Sequence, residues 1–251
     1  MLTSLMVDLA IGLLIIVGCG TALAYLCMAP TSQLFGPALT RGPAESRNVV
    51  LTFDDGPAPP FTEQILDILS RHKISATFFL CGKNVERYPE IARRIVREGH
   101  TIGNHTYSHP FLCLHGRRFI AREIDRAQEA IERVTGVRPA LFRPPYGARW
   151  FGLMPILSSR GLVLVTWSVA GFDWKYGTQA IVRATTRRLH PGAVILLHDG
   201  HEQPPAGGID QSSTVEALPA IIEAVIGSGL SFAPIESIMA HAYAMPRSQR
   251  F

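Results

Sequence analysis

Cysteine is scarce in this 251-residue sequence, which contains only four, and two of them, Cys19 and Cys27, fall in an apolar N-terminal stretch. The other two, Cys81 and Cys113, do not make a disulfide framework. A bond between them is geometrically conceivable because both follow predicted strands at the same edge, but we expect free thiols. Basic blocks with interleaved aromatic residues are also missing, so we expect no nucleic-acid partner.

Charge is absent between residues 9 and 29. This run is long enough to cross the hydrocarbon core of a bilayer as a helix, it shows no amphipathic face, and Pro30 ends it. We therefore predict a transmembrane or signal-anchor helix within residues 1–29. No Lys or Arg precedes the run, whereas an ordinary secretory signal begins with basic residues. A cleaved signal peptide, which would make the protein secreted, and lipidation at Cys19 remain alternatives.

The charges that follow this segment bear on its orientation. Arg41 and Arg47 come after it and nothing basic comes before it, which by the positive-inside rule leaves the rest of the chain in the cytoplasm. Two arginines are a small bias, however, and a long folded domain is translocated largely regardless of charge. The formal net charge of +4 favours a solvated surface, with attraction to anionic envelope polymers or lipid head groups as the alternative.

The remainder of the sequence predicts a linker and one domain. Residues 30–46 contain Pro, Gly, Ser and Thr with little periodicity, which is typical of a linker. Residues 47–251 suffice for one globular domain with a sizeable core. No further glycan-binding repeat is visible in them.

Short apolar runs alternate with helical patterns inside the domain. The predicted strands cover residues 49–53, 76–80, 101–103, 140–142, 162–166, 193–197 and 230–233. The predicted helices cover residues 62–72, 85–98, 118–134, 154–160, 179–189 and 215–226. Strict alternation predicts βαβ units and an α/β fold whose parallel sheet is covered on both faces.

Polar residues follow three of these strands. Asp54 and Asp55 end the first, His105 and His109 follow the third, and His198 ends the sixth. Two adjacent carboxylates repel when both are ionised, so the pair suggests a cation between them or a shared proton. An isolated Asp-Asp-Gly is usually a solvated turn. Three such clusters at strand ends, where parallel barrels place their active sites, favour a functional site instead.

Five segments of the sequence resemble the five ordered motifs of the polysaccharide deacetylases, also called NodB-homology proteins or family 4 carbohydrate esterases. They are Thr-Phe-Asp-Asp-Gly-Pro at 52–57, His-Thr-Tyr-Ser-His at 105–109, Arg-Pro-Pro-Tyr-Gly at 143–147, Asp-Trp at 173–174 and Leu-Leu-His-Asp at 196–199. The resemblance covers about residues 47–240 and implies a distorted (β/α)7 barrel of the NodB type.

The resemblance implies a divalent metal ion held by Asp55, His105 and His109. Three protein ligands would leave positions open for water and substrate, as in catalytic zinc sites. Zinc fits this nitrogen and oxygen ligand set, and cobalt or nickel would also fit. Such an ion lowers the pKa of its water and polarises a carbonyl group.

The resemblance also implies the catalytic roles. Asp54 would be the general base, and Arg143 would orient it. His198 would be the general acid, because an imidazole with an ordinary pKa near 6.5 can hold a proton at working pH and still release it. Asp173 would hold that histidine in place. The backbone N–H of Tyr146 would face the developing oxyanion, since the two prolines before it have no N–H.

Other residues are predicted to shape the substrate pocket. Leu196 would form the wall for the acetyl methyl group and Trp174 the groove beside it, although core packing would also explain both. Pro145 would stiffen the loop, and Gly147 would allow close backbone approach. Residues 200–213 form a long loop and are a candidate for substrate contact. The histidines that match no motif are interpreted as structural or surface residues: His72, His100, His115, His190, His201 and His241.

Three classes of function follow from these features. The first is a monomeric, membrane-anchored, metal-dependent hydrolase that removes N-acetyl or O-acetyl groups from a glycan such as peptidoglycan or a chitin-like oligosaccharide. The second is a related deformylase or deacetylase acting on a lipid-linked aminosugar or a cyclic amide. The third, an inactive glycan-binding relic, is least favoured because acid, base and ligands are all present. Most members of the resembled family act outside the membrane, so we expect an extracytoplasmic domain.

Overall fold

A computed structural model of the chain describes residues 2–200 and 211–244. The described part has one curled parallel sheet with helices packed against it, which confirms the predicted α/β class. Its strands are β1 (Asn48–Asp54), β2 (Thr77–Leu80), β3 (Thr101–Asn104), β4 (Leu141–Phe142), β5 (Val163–Leu164), β6 (Val169–Ala170), β7 (Val194–His198) and β8 (Ser231–Phe232). Their order in the sheet is β5-β4-β3-β2-β1-β7-β6, and β8 pairs with the start of β1.

Nine α-helices lie in the described residues. They are α1 (Leu2–Met28), α2 (Phe61–His72), α3 (Gly82–Arg87), α4 (Pro89–Arg97), α5 (Arg117–Thr135), α6 (Leu153–Ser158), α7 (Thr178–Thr186), α8 (Ser212–Gly227) and α9 (Ile235–Ala244). The helix predicted over residues 85–98 is in fact two. Tyr88 leaves helical geometry at φ −129° and ψ 60°, because a residue before proline is sterically kept out of the α region.

Seven strands were predicted, one fewer than the structure contains in its described residues. The prediction missed β6, whose two residues are too short to show a periodicity, and the sequence pattern also missed α9. The observed sheet is a curled half-barrel of eight short strands, which confirms the predicted distorted barrel but with one strand more than the seven predicted.

β1 is an interior strand of the sheet, and apolar residues cover both of its faces. Leu51 and Phe53 belong to a core cluster shared with α2 and α8, and Val50 points into a second cluster on the other face. Its register with β7 pairs Asp54 with His198. The ends of two neighbouring strands thus bring the proposed base and acid to the same edge of the sheet.

Residues 30–46 do not behave as the predicted linker. Phe35, Ala38 and Leu39 are buried. The Leu39 N–H donates to the Leu164 carbonyl at 2.8 Å, and the Thr166 N–H donates to the Leu39 carbonyl at 2.9 Å. The segment therefore extends the sheet edge beyond β5. Its high content of proline and glycine concealed the few apolar side chains that attach it to the domain.

Helix α1 contains the apolar run of the sequence. A stretch of 19 residues, Ala10–Met28, is apolar and long enough to cross a membrane, and none of it is buried within the protein. The C-terminal end of α1 nevertheless contacts the turn Pro145–Gly147 of the domain. All four cysteines fall in the described residues and are free thiols, as expected for Cys81 and Cys113.

Candidate active site

A pocket of about 300 Å³ opens at the C-terminal edge of the sheet, where the polar strand ends meet. Its lining residues are Met28, Asp54, Asp55, His105, His109, Tyr146, Gly147, Trp167, Trp174, Leu196, His198 and Gln211. Most of the residues predicted from the motifs therefore share one cavity. Pro145 is buried and is not among these lining residues, although it adjoins Tyr146 in the turn that borders the pocket.

Asp55, His105 and His109 form a compact buried cluster. The Nε2 atoms of His105 and His109 lie 3.2 Å and 3.1 Å from Asp55 Oδ1. Asp55 adopts a left-handed backbone conformation with φ 77°, which turns it away from the extended course of β1. The buried Asn84 side chain donates to the Asp55 carbonyl at 2.7 Å and so supports this unfavourable conformation.

The two histidines lie in a tight turn rather than on a helix. Thr106 and His109 both have positive φ, at 67° and 55°. Asn104 Oδ1 accepts a hydrogen bond from the Thr106 N–H at 2.8 Å. The buried Glu123 carboxylate on α5 accepts from the Tyr107 and Ser108 N–H groups, at 3.2 Å and 2.8 Å. A helix of the domain thus holds the loop in the shape that brings the imidazoles together.

The cluster has the properties of a metal site. Asp55 Oδ1 is buried and makes no hydrogen bond within the described residues, although two imidazole nitrogens face it. His105 Nδ1 lies 2.7 Å from the Arg143 carbonyl, which can only accept, so Nδ1 carries the hydrogen and Nε2 keeps its lone pair. The three ligand atoms lie within 4.8 Å of one another. This set of two nitrogens and one oxygen fits a catalytic zinc or similar ion.

Electrostatics favours an ionised Asp55. Burial by itself would raise the pKa of this carboxyl group, but the charge of His109 and the close approach of the His105 and His109 imidazoles outweigh it and lower the pKa well below its usual value. Asp55 is therefore held as a carboxylate, the protonation state that a metal ligand requires.

Asp54, which does not belong to this cluster, pairs with the fully buried Arg143. Arg143 Nη1 donates to Asp54 Oδ1 at 2.6 Å and to Thr52 Oγ1 at 2.8 Å, and Nη2 donates to the Thr166 carbonyl at 3.0 Å. The guanidinium also lies 4.0 Å above the Phe79 ring. Burial lowers the pKa of Arg143 and the charge of Asp54 opposes this. The pair is thus an internal one, and the alternative of a surface salt bridge is excluded.

His198 pairs with Asp173 on the opposite side of the pocket. His198 Nδ1 lies 2.8 Å from Asp173 Oδ1, while Asp173 Oδ2 accepts from the His198 backbone N–H at 2.7 Å and from Thr214 Oγ1 at 2.9 Å. Burial would lower the pKa of His198, but Asp173, and then Asp55 and Asp54, raise it to about 9. The imidazole is therefore protonated at neutral pH, and the edge-on Trp174 ring packs against it at 5.2 Å.

The turn that carries Tyr146 borders the pocket beside His109. Tyr146 has φ 59°, and its half-exposed ring lies 4.7 Å from the His109 ring. Gly147 has φ 67°, and a Cβ atom at this position would come within 2.6 Å of the Trp167 ring. Only glycine fits there, so Gly147 lets the turn close against Trp167.

Several residues of the site had not been assigned a role from the sequence. Asp199 is fully buried and accepts hydrogen bonds from the Gly56 N–H at 3.1 Å and from Thr62 Oγ1 at 2.7 Å. Burial raises its pKa, the Thr62 hydrogen bond lowers it, and nearby Asp55 and Asp54 raise it, to about 7 in total. Its position directly after His198 in the last motif was the signal that could have identified it.

Three further residues that line the pocket had little or nothing in the sequence to indicate a place in the site. Trp167 follows β5 without matching a motif, and Met28 belongs to the segment assigned to the membrane. Gln211 comes from the long loop at 200–213, so part of that loop does reach the pocket. Residues 201–210, including His201, and the His241 side chain lie outside what the structure describes. Among the other unmatched histidines, His100 is structural: its buried Nδ1 accepts from the Ala76 N–H at 3.2 Å.

Comparison with known proteins finds close similarity over most of the chain. A family model described as polysaccharide deacetylase matches residues 41–163. The peptidoglycan-N-acetylglucosamine deacetylase of Bacillus cereus is 39% identical over 198 residues, which cover 78% of this chain and 70% of the relative. The chitooligosaccharide deacetylase of Sinorhizobium fredii is 40% identical over 214 residues, 82% of this chain and 94% of the relative.

Solved structures share the fold. The Bc1960 peptidoglycan N-acetylglucosamine deacetylase, in complex with an N-hydroxybenzamide compound, superposes with a TM-score of 0.74 at 37% identity, covering 80% of this chain and 92% of its own. BA3943 of Bacillus anthracis, described as a CE4 family pseudoenzyme, superposes with a TM-score of 0.73 at 28% identity, covering 81% and 69%. Because a pseudoenzyme has the same fold, an argument for activity depends on the site residues.

Proposed function

The chain belongs to the polysaccharide deacetylase family, hydrolases of carbon–nitrogen bonds other than peptide bonds, and from that premise we propose that it removes acetyl groups from N-acetylglucosamine units of a glycan. Peptidoglycan and chitooligosaccharides, the substrates after which two relatives are named, both contain this unit. The observation that carries the proposal is the β1–β7 register, which pairs Asp54 with His198 beside the Asp55, His105 and His109 cluster.

A divalent ion held by Asp55, His105 and His109 would supply an activated water and polarise the amide carbonyl. Asp54 takes the proton of the attacking water. Its Oδ1 is occupied by Arg143, and its Oδ2 lies 3.8 Å from His105 Nε2, so the second oxygen faces the cluster. Arg143 cannot lose its own proton at working pH, so its hydrogen bond orients Asp54 without competing for the proton that the base accepts.

His198 gives a proton to the departing amine. Because Nδ1 is engaged by Asp173, the acidic proton is the one on Nε2, on the pocket side of the ring. An amine is a poor leaving group unless it is protonated as the C–N bond breaks, so this step is needed for an amide. Leu196 and Trp174, which line the pocket, would enclose the acetyl group.

The retained chemistry argues against an inactive relic. All three cluster residues are present, and both dyads, Asp54–Arg143 and His198–Asp173, are hydrogen-bonded. The similarity to a CE4 pseudoenzyme keeps this alternative testable, since a glycan-binding relic would bind N-acetylglucosamine oligomers without releasing acetate.

The test is metal dependence. Exhaustive chelation should abolish acetate release from an N-acetylglucosamine oligomer, and one of zinc, cobalt or nickel should restore it. Asp55→Ala should lose the bound ion by elemental analysis, because a third of the ligand set is removed. Full activity in metal-free protein would overturn the proposal, as would tight oligomer binding without any acetate release.

We also propose that α1 anchors the domain to the membrane with the active site on the outer side. Peptidoglycan, the substrate named for one relative, lies outside the cytoplasmic membrane, whereas Arg41 and Arg47 favour the cytoplasmic side. Protease added to intact cells should digest the domain. Protection of a tag placed after the last residue would show the opposite orientation and exclude a wall glycan as substrate.

A further inference from the structure

The C-terminal end of the apolar helix α1 forms part of the active-site pocket. Met28, the last residue of α1, lines the pocket. Arg149, almost completely buried, donates from Nη2 to the Ala29 carbonyl and from Nη1 to the Ser32 carbonyl at 2.7 Å. The Arg149 backbone N–H also donates to the Cys27 carbonyl at 3.0 Å. The guanidinium thus reaches main-chain carbonyls at and just beyond the helix end, where a cation also complements the helix dipole.

Further hydrogen bonds connect the segment that follows α1 to the catalytic groups. Thr166 Oγ1 donates to the Pro30 carbonyl at 2.8 Å, and the Thr166 carbonyl accepts from Arg143 Nη2 at 3.0 Å. One residue therefore joins the chain that leaves α1 to the arginine that pairs with Asp54. These hydrogen bonds attach the end of the apolar helix to the domain, so the pocket lies directly beside that end.

The length of the apolar stretch locates the pocket relative to a bilayer. Its 19 residues, Ala10–Met28, span about 28 Å at 1.5 Å per residue, close to the roughly 30 Å of a hydrocarbon core. Its last residue is also a wall of the pocket. When α1 crosses a membrane, the pocket consequently lies at the level of the lipid head groups, which extend only about 5–8 Å beyond the core.

Exposed apolar side chains surround the same end of α1. Leu34, Leu114 and Phe151 are 52%, 80% and 66% exposed; we call them the apolar rim. Phe151 contacts Phe35 with ring centroids 4.8 Å apart, next to Leu34 in the chain. Leu114 directly follows Cys113, whose sulfur lies against the Arg149 carbonyl. Phe151 and Leu114 are thus close in sequence to Arg149 and Cys113, and Leu34 lies six residues after Met28, so the apolar rim lies near the end of the apolar helix, as expected of a surface that touches a bilayer.

We propose that the substrate is an N-acetylated amino sugar carried on a lipid, deacetylated at the membrane surface with the end of α1 as one wall of the pocket. This inference rests on the proposed deacetylase function and on α1 crossing the bilayer. A sugar joined to a lipid is already confined to the depth of the pocket, which raises its effective concentration there. Water adds across the amide, so the C–N bond breaks, acetate leaves and the amine stays on the lipid-linked sugar.

The test compares two probes with the full chain reconstituted, metal-loaded, in vesicles of phosphatidylethanolamine and phosphatidylglycerol. One probe is a dialkylglycerol bearing N-acetylglucosamine in the same vesicles, and the other is a soluble N-acetylglucosamine tetramer. We expect kcat/KM for acetate release to be at least about tenfold higher with the glycolipid, in keeping with the effective concentrations that tethering produces. The preference should disappear when the glycolipid is placed in separate, enzyme-free vesicles.

Surface variants separate membrane contact from general damage. Leu114→Asp combined with Phe151→Asp should lower the ratio of glycolipid to tetramer activity by roughly fivefold or more, because charged side chains resist insertion among lipids. The matched control, Ile226→Asp near the end of α8, replaces a residue that is 58% exposed and should leave that ratio within about twofold.

The possible outcomes distinguish the two proposals. Equal kcat/KM for both probes, or a ratio that the rim variants do not change, would overturn the lipid-carried substrate while leaving the deacetylase function intact. Absence of acetate release from either probe with zinc, cobalt and nickel would overturn the deacetylase function, and this inference with it.

Discussion

Two buried carboxylate–cation pairs, Asp54–Arg143 and His198–Asp173, lie on opposite sides of the pocket. Both are hydrogen-bonded ion pairs, but the member that reacts differs between them. In Asp54–Arg143 the cation is permanent, and the carboxylate has one oxygen directed at the metal cluster. In His198–Asp173 the carboxylate is engaged by several donors, and the cation is a group that can lose its proton. The reactive member is the anion of the first pair and the cation of the second.

The difference shows how one fold obtains a base and an acid within a single cavity. Arg143 stabilises a negative Asp54 and has no accessible neutral form, so this pair accepts protons. Burial lowers the pKa of His198, but Asp173, with smaller contributions from Asp55 and Asp54, raises it to about 9, so the His198–Asp173 pair donates protons. The expected loss of activity decreases in the order Asp54→Asn, His198→Gln, Asp173→Asn and Thr214→Val. Each of these substitutions acts on only one of the two pairs.

Asp54→Asn should cause the largest loss. The amide keeps the size of the side chain and its bond to Arg143 but cannot accept a proton, so kcat should fall about a thousandfold, within the range for general bases. Bound metal, measured by elemental analysis, should remain, in contrast to Asp55→Ala. Equal metal loss in both variants would contradict the division between base and ligand.

His198→Gln should reduce amide hydrolysis by about a hundredfold, again within the range for general acid catalysis. An aryl acetate ester has a leaving group that needs no proton, so its hydrolysis should be nearly unaffected. Asp54→Asn should impair both substrates, since both need an activated water. An equal defect of His198→Gln on ester and amide would show that His198 is not the acid.

Asp173→Asn should lower kcat at neutral pH by about tenfold to a hundredfold, the usual cost of losing a partner that orients a catalytic group. In the native enzyme the protonated acid predominates below its pKa of about 9, so activity should fall as the pH rises through 9. Without Asp173 the pKa loses its largest raising influence, while burial still lowers it. The alkaline limb of the kcat profile should therefore move toward or below pH 6.5, and an unmoved limb would contradict the pairing.

Thr214→Val should have the smallest effect. It removes the 2.9 Å hydrogen bond from Thr214 Oγ1 to Asp173, which is worth about 1 kcal/mol and hence roughly a fivefold change in the protonation equilibrium of His198. Since Asp173 becomes a stronger acceptor for His198 when Thr214 is lost, the alkaline limb should shift upward by less than about one pH unit. A downward shift would show that Thr214 instead keeps Asp173 in position.

The local chemistry of the site could be predicted from the sequence because it lies in short contiguous motifs. Asp54 and Asp55 end an apolar strand, and His198 ends another. Both the residue type and the position at the strand end could therefore be recognised in the sequence. The apolar run of α1 was equally clear, since a membrane-length stretch without charge needs no long-range information to recognise.

The residues that hold the site in position could not be predicted from short motifs. Glu123 holds the His105–His109 turn from a helix 15 or 16 residues further along the chain, and it carries no signal of its own. Residues 30–46 were mistaken for a linker because burial of Phe35 and Leu39 depends on surfaces formed by distant strands. Trp167 and Gln211 reach the pocket only because the chain folds back on itself.

By itself the sequence determined the family of folds, the ligand and acid–base residue types, and the presence of one apolar helix, since periodicity and motif order are properties of neighbouring residues. Only the tertiary structure decided that Asp54 pairs with His198 in the strand register, and that Arg149 donates to the Ser32 carbonyl just beyond α1, 117 residues away in the sequence. Those contacts join segments that are far apart in sequence. They exist because buried polar groups need hydrogen-bond partners, and only the packing of the closed core determines which distant residues supply them.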